Sequence, residues 1–512
     1  MFKNFLYRIL PHRIISVILL FVQIALLIMT IVERNRAFAI TGAVLNLLSL
    51  VVCLYIISKR DKGAYKLSWV FLILIDPLFG GFVYLMFSFQ SSTRRFAKKI
   101  EREKDRTKDL LLLMGDSYDK AKNDLPEYSA QLNYMQNYAG FPVYENMRSA
   151  YYSPGEDAFE AMLQEIEKAE KYIFLEFFIV QEGLMWDRLL EVLREKAAKG
   201  VKIRLIYDDL GSFFLLPPNY AKTLKKMGIE CVSFNPFKPM LTAKQNNRDH
   251  RKILVIDGKV AFTGGINIAD EYINAIEKFG HWKDSAVKIE GYAAWSFTLM
   301  FLQMWEICVG KGEDFRTYYP WQDNKLDVID GEGYVLPYCD SPMDKENVGE
   351  HVYMQIINSA KDYLYISTPY LIIDDSMVSA LCLAAKSGVD VRIVTPCKWD
   401  KRLVHMTTRS YYRELIKAGV KICEYSKGFI HSKTFVCDDK TATVGTTNLD
   451  FRSLYLHFEC GAVFYKNNVV SEVKNDFLQM FPICNEITLK ECTPRPITKL
   501  FQDILRLFAP FM

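Results

Sequence analysis

Half of the 512 residues are hydrophobic, enough for more than one core, and a formal net charge of +4 lies too near balance to call for nucleic acid or another polyanion as partner. The 11 cysteines are odd in number and form no C-x-x-C pair. That argues against a disulfide framework and a structural zinc site, and it fits a reducing compartment.

Residues 1–90 read as a membrane module. Ile14–Val32 is an apolar run broken only by Ser16, Gln23 and Thr30, and a second run spans Ala37–Ile57. Both reach the roughly 20 residues that cross ~30 Å of hydrocarbon, and a second span following at once disfavours a cleaved signal peptide. A third stretch, Leu67–Phe87, carries Asp76-Pro77 and Gly80-Gly81 in its middle, so it is expected either to kink as it spans or to re-enter and return. Basic clusters flank these runs at Lys3, Arg8 and Arg13, at Lys59, Arg60, Lys62 and Lys66, and at Arg94, Arg95, Lys98 and Lys99. The positive-inside tendency puts all three clusters in the cytoplasm. The expectation is a multi-pass protein of the cell membrane, with two spans, a re-entrant or interfacial third segment and a cytoplasmic catalytic domain. Three full spans would put that domain outside.

Residues 91–135 follow as a charged helical linker, and beyond them the chain repeats itself. In 136–330 a helical run Asp157–Lys171 leads to a strand Tyr172–Val180, and a helix ending at Lys199-Gly200 leads to a strand Val201–Tyr207. In 331–485 the order recurs as Val352–Lys361, Tyr363–Tyr370, a helix ending at Ser387-Gly388, and Val389–Thr395. Alternating helices and strands predict an α/β sheet covered on both faces, once per half. In 486–512, Ile497, Leu500, Phe501, Ile504, Leu505 and Phe508 stand at helical spacing. They predict an amphipathic helix that docks on the core or enters a membrane interface.

Each half carries one copy of a longer pattern. Asp249–Asn267 and Ile430–Asn448 both read His, any residue, Lys, four residues, Asp, then a small-residue pair and an Asn. The copies give His250, Lys252, Asp257, Gly264, Gly265 and Asn267, then His431, Lys433, Asp438, Gly445, Thr446 and Asn448. If the segment around His250 is a strand, residues two apart share a face, so each His and Lys project together. A neutral imidazole beside an ammonium suits attack on a phosphate ester: the lysine is a fixed charge for phosphate oxygens, and the histidine is a nucleophile or proton carrier. Each Asp falls in the turn after the strand, where carboxylates usually cap or turn the backbone. The Gly/Thr segment and its Asn can offer backbone N–H groups and an amide to the same oxygens. His12, His281, His351, His405 and His457 lie outside the pattern and are expected to be structural. No H-x-H, HExxH or EF-hand spacing occurs, so neither metal nor cofactor is expected.

The paired motif resembles that of the phospholipase D superfamily, whose two His-Lys-Asp copies meet at a pseudo-two-fold axis. The likeness narrows to bacterial cardiolipin synthases through Asp76-Pro77-Leu78-Phe79-Gly80-Gly81, Tyr84-Leu85-Met86-Phe87, Gly264-Gly265-Ile266-Asn267-Ile268, Thr368-Pro369-Tyr370, Asn448-Leu449-Asp450-Phe451-Arg452-Ser453 and Arg506-Leu507-Phe508-Ala509-Pro510. Thr446, where many relatives carry serine, keeps a hydroxyl. The resemblance implies an α/β fold of two pseudo-symmetric phospholipase D-like α/β/α halves forming one catalytic unit behind an N-terminal helical membrane module. It also implies a catalytic set of His250, Lys252, Asp257, His431, Lys433 and Asp438. Asn267, Asn448, Gly265 and Thr446 would bind the substrate phosphate, and Asp284 and Glu459 would orient the histidines. The implied reaction is metal-free: two phosphatidylglycerols give cardiolipin and glycerol through a phosphatidyl-histidine, with His250 taken as nucleophile and His431 as acid/base. The expected partners are phosphatidylglycerol, anionic membrane lipids and the membrane. A hydrolase, or a headgroup exchanger using another alcohol, is the alternative.

Overall fold

The computed structural model describes residues 36–77, 80–81, 83–84, 91–112, 117–237, 243–321, 330–344 and 346–512. The chain divides into two compact units. One holds the described parts of Met1–Phe96 and Phe237–Asn247, with Asp503–Met512; the other holds Ala97–Pro236 and Arg248–Gln502.

In the first unit, helix Arg36–Ser58 packs on helix Gly63–Ile75 through Cys53, Ile56, Trp69 and Ile73. The second helix stops at Asp76, and the chain doubles back so tightly that a Cβ on Gly80 would stand 2.8 Å from the Ile73 Cα. Tyr84 then returns to Trp69, ring centroids 5.3 Å apart. The chain end closes the same cluster: Phe511 stacks edge-on against Trp69 at 5.2 Å, and Ser68 Oγ donates to the Leu507 carbonyl at 2.6 Å.

The multi-pass membrane localisation expected from these runs does not stand. Among the described residues no helix is long and apolar enough to cross a membrane. Helix Gly63–Ile75 has 13 residues, about 20 Å at ~1.5 Å per residue. That falls short of ~30 Å of hydrocarbon. The run Ile14–Val32 and the basic cluster before it lie outside the described residues.

The second unit is the predicted repeat. One sheet orders its strands as Arg148–Tyr152, Ala286–Glu290, Val260–Gly264, Ile253–Ile256, Tyr172–Phe177, Lys202–Asp208 and Ile229–Phe234. The other contains the same succession: His457–Tyr465, Thr441–Gly445, Thr434–Cys437, Tyr363–Ser367, Asp390–Pro396 and Lys421–Tyr425. In each, three strands run parallel and the motif hairpin joins them antiparallel. Strand Tyr172–Phe177 is buried along its whole length, as a strand covered on both faces must be.

The two sheets are also stitched together at short parallel pairings. Arg248–Asp249 pairs with the start of His457–Tyr465, and Gly428–Ile430 pairs with His281–Lys283. Each strand leading into a motif histidine therefore lies beside a strand that carries the other half's acidic residue, as for Glu459, or ends just before it, as for Asp284. The extended segment expected around His250 is in fact two strands, Arg248–Asp249 and Ile253–Ile256, with His250–Lys252 linking them. The chain changes sheets at the motif.

The motif aspartates fix the hairpins. Asp257 and Gly258 take φ 51° and 70°, and Asp438 and Asp439 take 53° and 56°, the pair of positive values that a type I′ turn requires. From that turn the Asp257 carboxylate accepts the backbone N–H groups of Glu170, Lys171 and Tyr172 at 2.7, 2.8 and 2.7 Å. Asp438 does the same for Lys361, Asp362 and Tyr363 at 2.7, 2.9 and 2.8 Å. Each carboxylate holds the entry of the neighbouring central strand. We expect Asp257→Ala and Asp438→Ala to cost about 2 kcal/mol of stability each, read by chemical denaturation. The folded fraction should keep its turnover within about threefold; a much larger loss with unchanged stability would place these carboxylates in the chemistry.

Candidate active site

His250 and His431 are both buried to 7% exposure, one from each half. Their orientation depends on a crossed arrangement. Nδ1 of His250, in the first half, lies 2.9 and 3.0 Å from the two carboxylate oxygens of Glu459 in the second. Nδ1 of His431, in the second half, lies 2.7 Å from Oδ2 of Asp284 in the first. The backbone repeats the exchange: His250 N–H donates to the Phe458 carbonyl at 2.9 Å, and His431 N–H to that of Lys283 at 2.7 Å. A carboxylate on Nδ1 fixes the tautomer, leaving Nε2 as the basic nitrogen.

The supporting residues hold the carboxylates. Asp284 Oδ1 accepts Ser285 N–H at 2.8 Å, and Thr446 Oγ1 donates to Glu459 Oε2. Gly265 is required by space, since a Cβ there would fall 2.0 Å from Asp284 Oδ1. Asn267 is committed to the protein, accepting from Ile179 N–H at 3.0 Å and donating to Tyr272 Oη at 2.8 Å. Asn448, by contrast, keeps its buried Oδ1 without a hydrogen-bond partner. Of the expected set, the structure brings His250, Lys252, His431, Lys433, Asp284, Glu459, Gly265 and Thr446 into one cluster. Asp257 and Asp438 stand instead at the strand entries.

The electrostatics favour neutral rings next to lysines that lose their protons easily. Burial, then Lys252, His457 and charges of the opposite half, including Lys433, hold His250 well below the ordinary imidazole range. Burial and Lys433 bring His431 down to about 4, against the pull of Asp284. Burial also lowers Lys252 to about 8 and Lys433 to about 7, partly offset by the carboxylates Glu459 and Asp284. Lys252 Nζ donates to the His250 carbonyl at 2.6 Å, and Lys433 Nζ lies 2.9 Å from His431 Nδ1. An incoming phosphate would supply the counter-charge that both ammonium groups lack.

Residues outside the repeated pattern complete the site. Ion pairs anchor the segment leading into His250: Arg248 meets Asp208 at 2.7 Å with both buried, and Arg251 meets Glu176 and Asp249. Phe178 lies edge-on to His250 at 5.1 Å, and Tyr272 and Trp282 pack on His431 at 5.4 and 5.3 Å. His457, expected to be structural, lies 5.5 Å from the His250 ring, centroid to centroid. Among the described residues, one group could hold a metal ion: His250, His457 and Glu459, with ligand atoms within 4.8 Å of one another. The His250–Glu459 hydrogen bond uses two of those three as an orienting pair.

Two α/β halves meeting through crossed His–carboxylate pairs, each with its lysine, define a phospholipase D-like protein. The family described as "Cardiolipin synthase, PLD-like domain" matches residues 162–286 and 353–481, and "Phospholipase_D-nuclease N-terminal" matches 44–88. A cardiolipin synthase of Geobacillus thermodenitrificans is 36% identical over 91% of this chain and 92% of its own. An uncharacterized protein of Streptococcus mutans is 41% identical over 90% of this chain and 99% of its own. The crystal structure of phosphatidylserine synthase from Haemophilus influenzae shares the fold, with a TM-score of 0.57 at 15% identity over 73% of this chain and 97% of its own. The chain belongs to the family of phospholipase D-like cardiolipin synthases and is a phosphatidyltransferase.

The lysine and histidine shifts predict a bell-shaped pH profile of kcat/KM. On the acid side, activity falls as His431 takes up a proton near pH 4. On the alkaline side it falls as Lys433, near 7, and Lys252, near 8, lose the charge that phosphate requires. Bound phosphate raises both lysines, so the alkaline limb of kcat should lie above that of kcat/KM. Coincident limbs would show that the lysines do not meet the phosphate.

Proposed function

We propose that the protein joins two phosphatidylglycerols into cardiolipin and glycerol through a covalent phosphatidyl-histidine. The observation that carries this reading is the crossed pair of buried, carboxylate-oriented imidazoles, Glu459 on His250 and Asp284 on His431. Ping-pong transfer needs a neutral imidazole as nucleophile and a second imidazole that takes up a proton on Nε2 as the anionic phosphate binds, both facing one phosphorus. One Nε2 attacks the donor phosphorus while the other ring gives its proton to the departing glycerol oxygen. The second ring then takes the proton of the acceptor hydroxyl, whose oxygen displaces the enzyme nitrogen. Lys252, Lys433 and the Asn448 amide stabilise charge on the non-bridging oxygens. With burial, such fixed charges act far more strongly than they would in water.

The names of several relatives, cardiolipin synthases at 35–36% identity, support cardiolipin as the product. The same intermediate would serve water or another alcohol, so the product decides between synthase and hydrolase.

Phosphatidylglycerol vesicles radiolabelled in the headgroup are expected to release free glycerol and form cardiolipin one for one, in the presence of EDTA as in its absence. Phosphatidic acid as the main product would make the protein a hydrolase. His250→Ala and His431→Ala should each lower turnover at least about 10³-fold. Either variant working at a near-wild-type rate would refute a shared site.

A further inference from the structure

The two halves match in topology but not in charge, and the mismatch lies at the catalytic site. Four residues beyond the motif asparagine stands Glu271 in the first half and Arg452 in the second. Two residues before the orienting carboxylate stands Trp282 in the first half and His457 in the second. The register confirms the second equivalence: Trp282 pairs with Phe429, and His457 with Arg248, at corresponding places in the two sheet-joining ladders. The His431 side is thus apolar, with Tyr272, Trp282 and Phe429 around the ring, and its acid Glu271 is paired with Lys278 at 2.6 Å. The His250 side is polar and cationic.

Two observations on that side point to a ligand. Both ring nitrogens of His457 are buried with no hydrogen-bond partner, and its Nδ1 stops 3.9 Å from Glu459 Oε1. Among the described residues, no carboxylate comes within ion-pair distance of the Arg452 guanidinium. Asp450, two residues before it, attracts the guanidinium only from beyond ion-pair distance, its carboxylate capping the helix Phe451–Tyr455 by accepting Ser453 N–H at 2.8 Å. Burial, then Arg452, Lys252, Arg248 and Lys401 hold His457 well below the ordinary range, so the ring is neutral and carries one N–H donor in a field of positive charge. A buried donor and an unpaired guanidinium in such a field call for an anion.

We propose that Arg452 and His457 form a second phosphate subsite beside His250, which holds the phosphodiester of the acceptor lipid while its glycerol hydroxyl reacts. The inference rests on the cardiolipin-forming reading above, in which donor and acceptor each bring a phosphate to one site. Holding the acceptor on the His250 side also assigns the rings. The acceptor oxygen must approach phosphorus opposite the bond it breaks, so His431 is the nucleophile and His250 the proton carrier, the reverse of the order taken from the sequence. In the transfer step the acceptor O–P bond forms and the His431 N–P bond breaks. The hydroxyl proton passes to His250 Nε2, and the nitrogen lone pair returns to His431.

Soluble acceptors test this with the full chain. Phosphatidylglycerol vesicles supply the donor, and radiolabelled glycerol is compared with glycerophosphoglycerol, the acceptor headgroup without its acyl chains. The wild-type protein is expected to favour glycerophosphoglycerol about tenfold in kcat/KM. Arg452→Gln and His457→Phe should each erase most of that preference, and Arg452→Lys should restore part of it. A merely structural defect lowers both acceptors together and leaves the ratio intact. A wild-type ratio in both Arg452→Gln and His457→Phe overturns the subsite, as does a wild-type protein that prefers plain glycerol while still making cardiolipin; the parent reading survives either result. A wild-type protein that uses neither acceptor and yields phosphatidic acid overturns both readings. Peptides from enzyme quenched in alkali should carry the phosphatidyl group on His431; finding it on His250 would overturn the assignment of the rings.

Discussion

The site depends on a reciprocal constraint: each motif imidazole belongs to one half of the repeat and takes its tautomer from a carboxylate in the other. Glu459 holds His250 and Asp284 holds His431. The short ladders Arg248–Asp249 with His457–Phe458, and Gly428–Ile430 with His281–Lys283, bring each carboxylate strand to the histidine it serves. Crossing the contacts makes the relative placement of the halves a condition for having any properly oriented ring. It also excludes solvent from both rings, and this burial sets the neutral imidazoles and the easily deprotonated lysines. Packing and reactivity thus share one cause.

Much of this was legible in the chain. The spacing of His250, Lys252 and Asn267, repeated at His431, Lys433 and Asn448, marks the two halves without reference to coordinates. Alternating strand and helix patterns placed the central strands within a few residues: Val201–Tyr207 was expected where Lys202–Asp208 is found. Asp284 and Glu459, which the resemblance named, stand within hydrogen-bond distance of His431 and His250. What periodicity could not convey is that the chain changes sheets between Asp249 and Ile253, because a two-residue ladder has no hydrophobic period of its own.

Three other features escaped for distinct physical reasons. Asp257 and Asp438 share the motif's spacing with the histidines and lysines, but spacing does not show which backbone N–H groups their carboxylates accept. The apolar N-terminal runs satisfy a hydropathy rule, whereas Asp76 and the Gly80 turn end the helix Gly63–Ile75 well short of a bilayer. His457 and Arg452 sit outside the repeated pattern, although Arg452 belongs to a segment that carries the family resemblance. Their signal lay in the comparison of the halves, four residues on from the asparagine and two back from the carboxylate, where Glu271 and Trp282 are replaced by groups of opposite character. Departures from an internal symmetry are informative where the symmetric residues do the shared chemistry and the asymmetric ones separate the two sides.

The crossed wiring has a consequence for synthesis. Glu459 follows His250 by 209 residues, so a nascent chain that has emerged through its first half displays an imidazole with no acidic residue to set its proton. Such an intermediate is chemically idle, however well its first sheet has folded. The crossed pair of imidazoles and carboxylates is complete only when the last antiparallel strands dock.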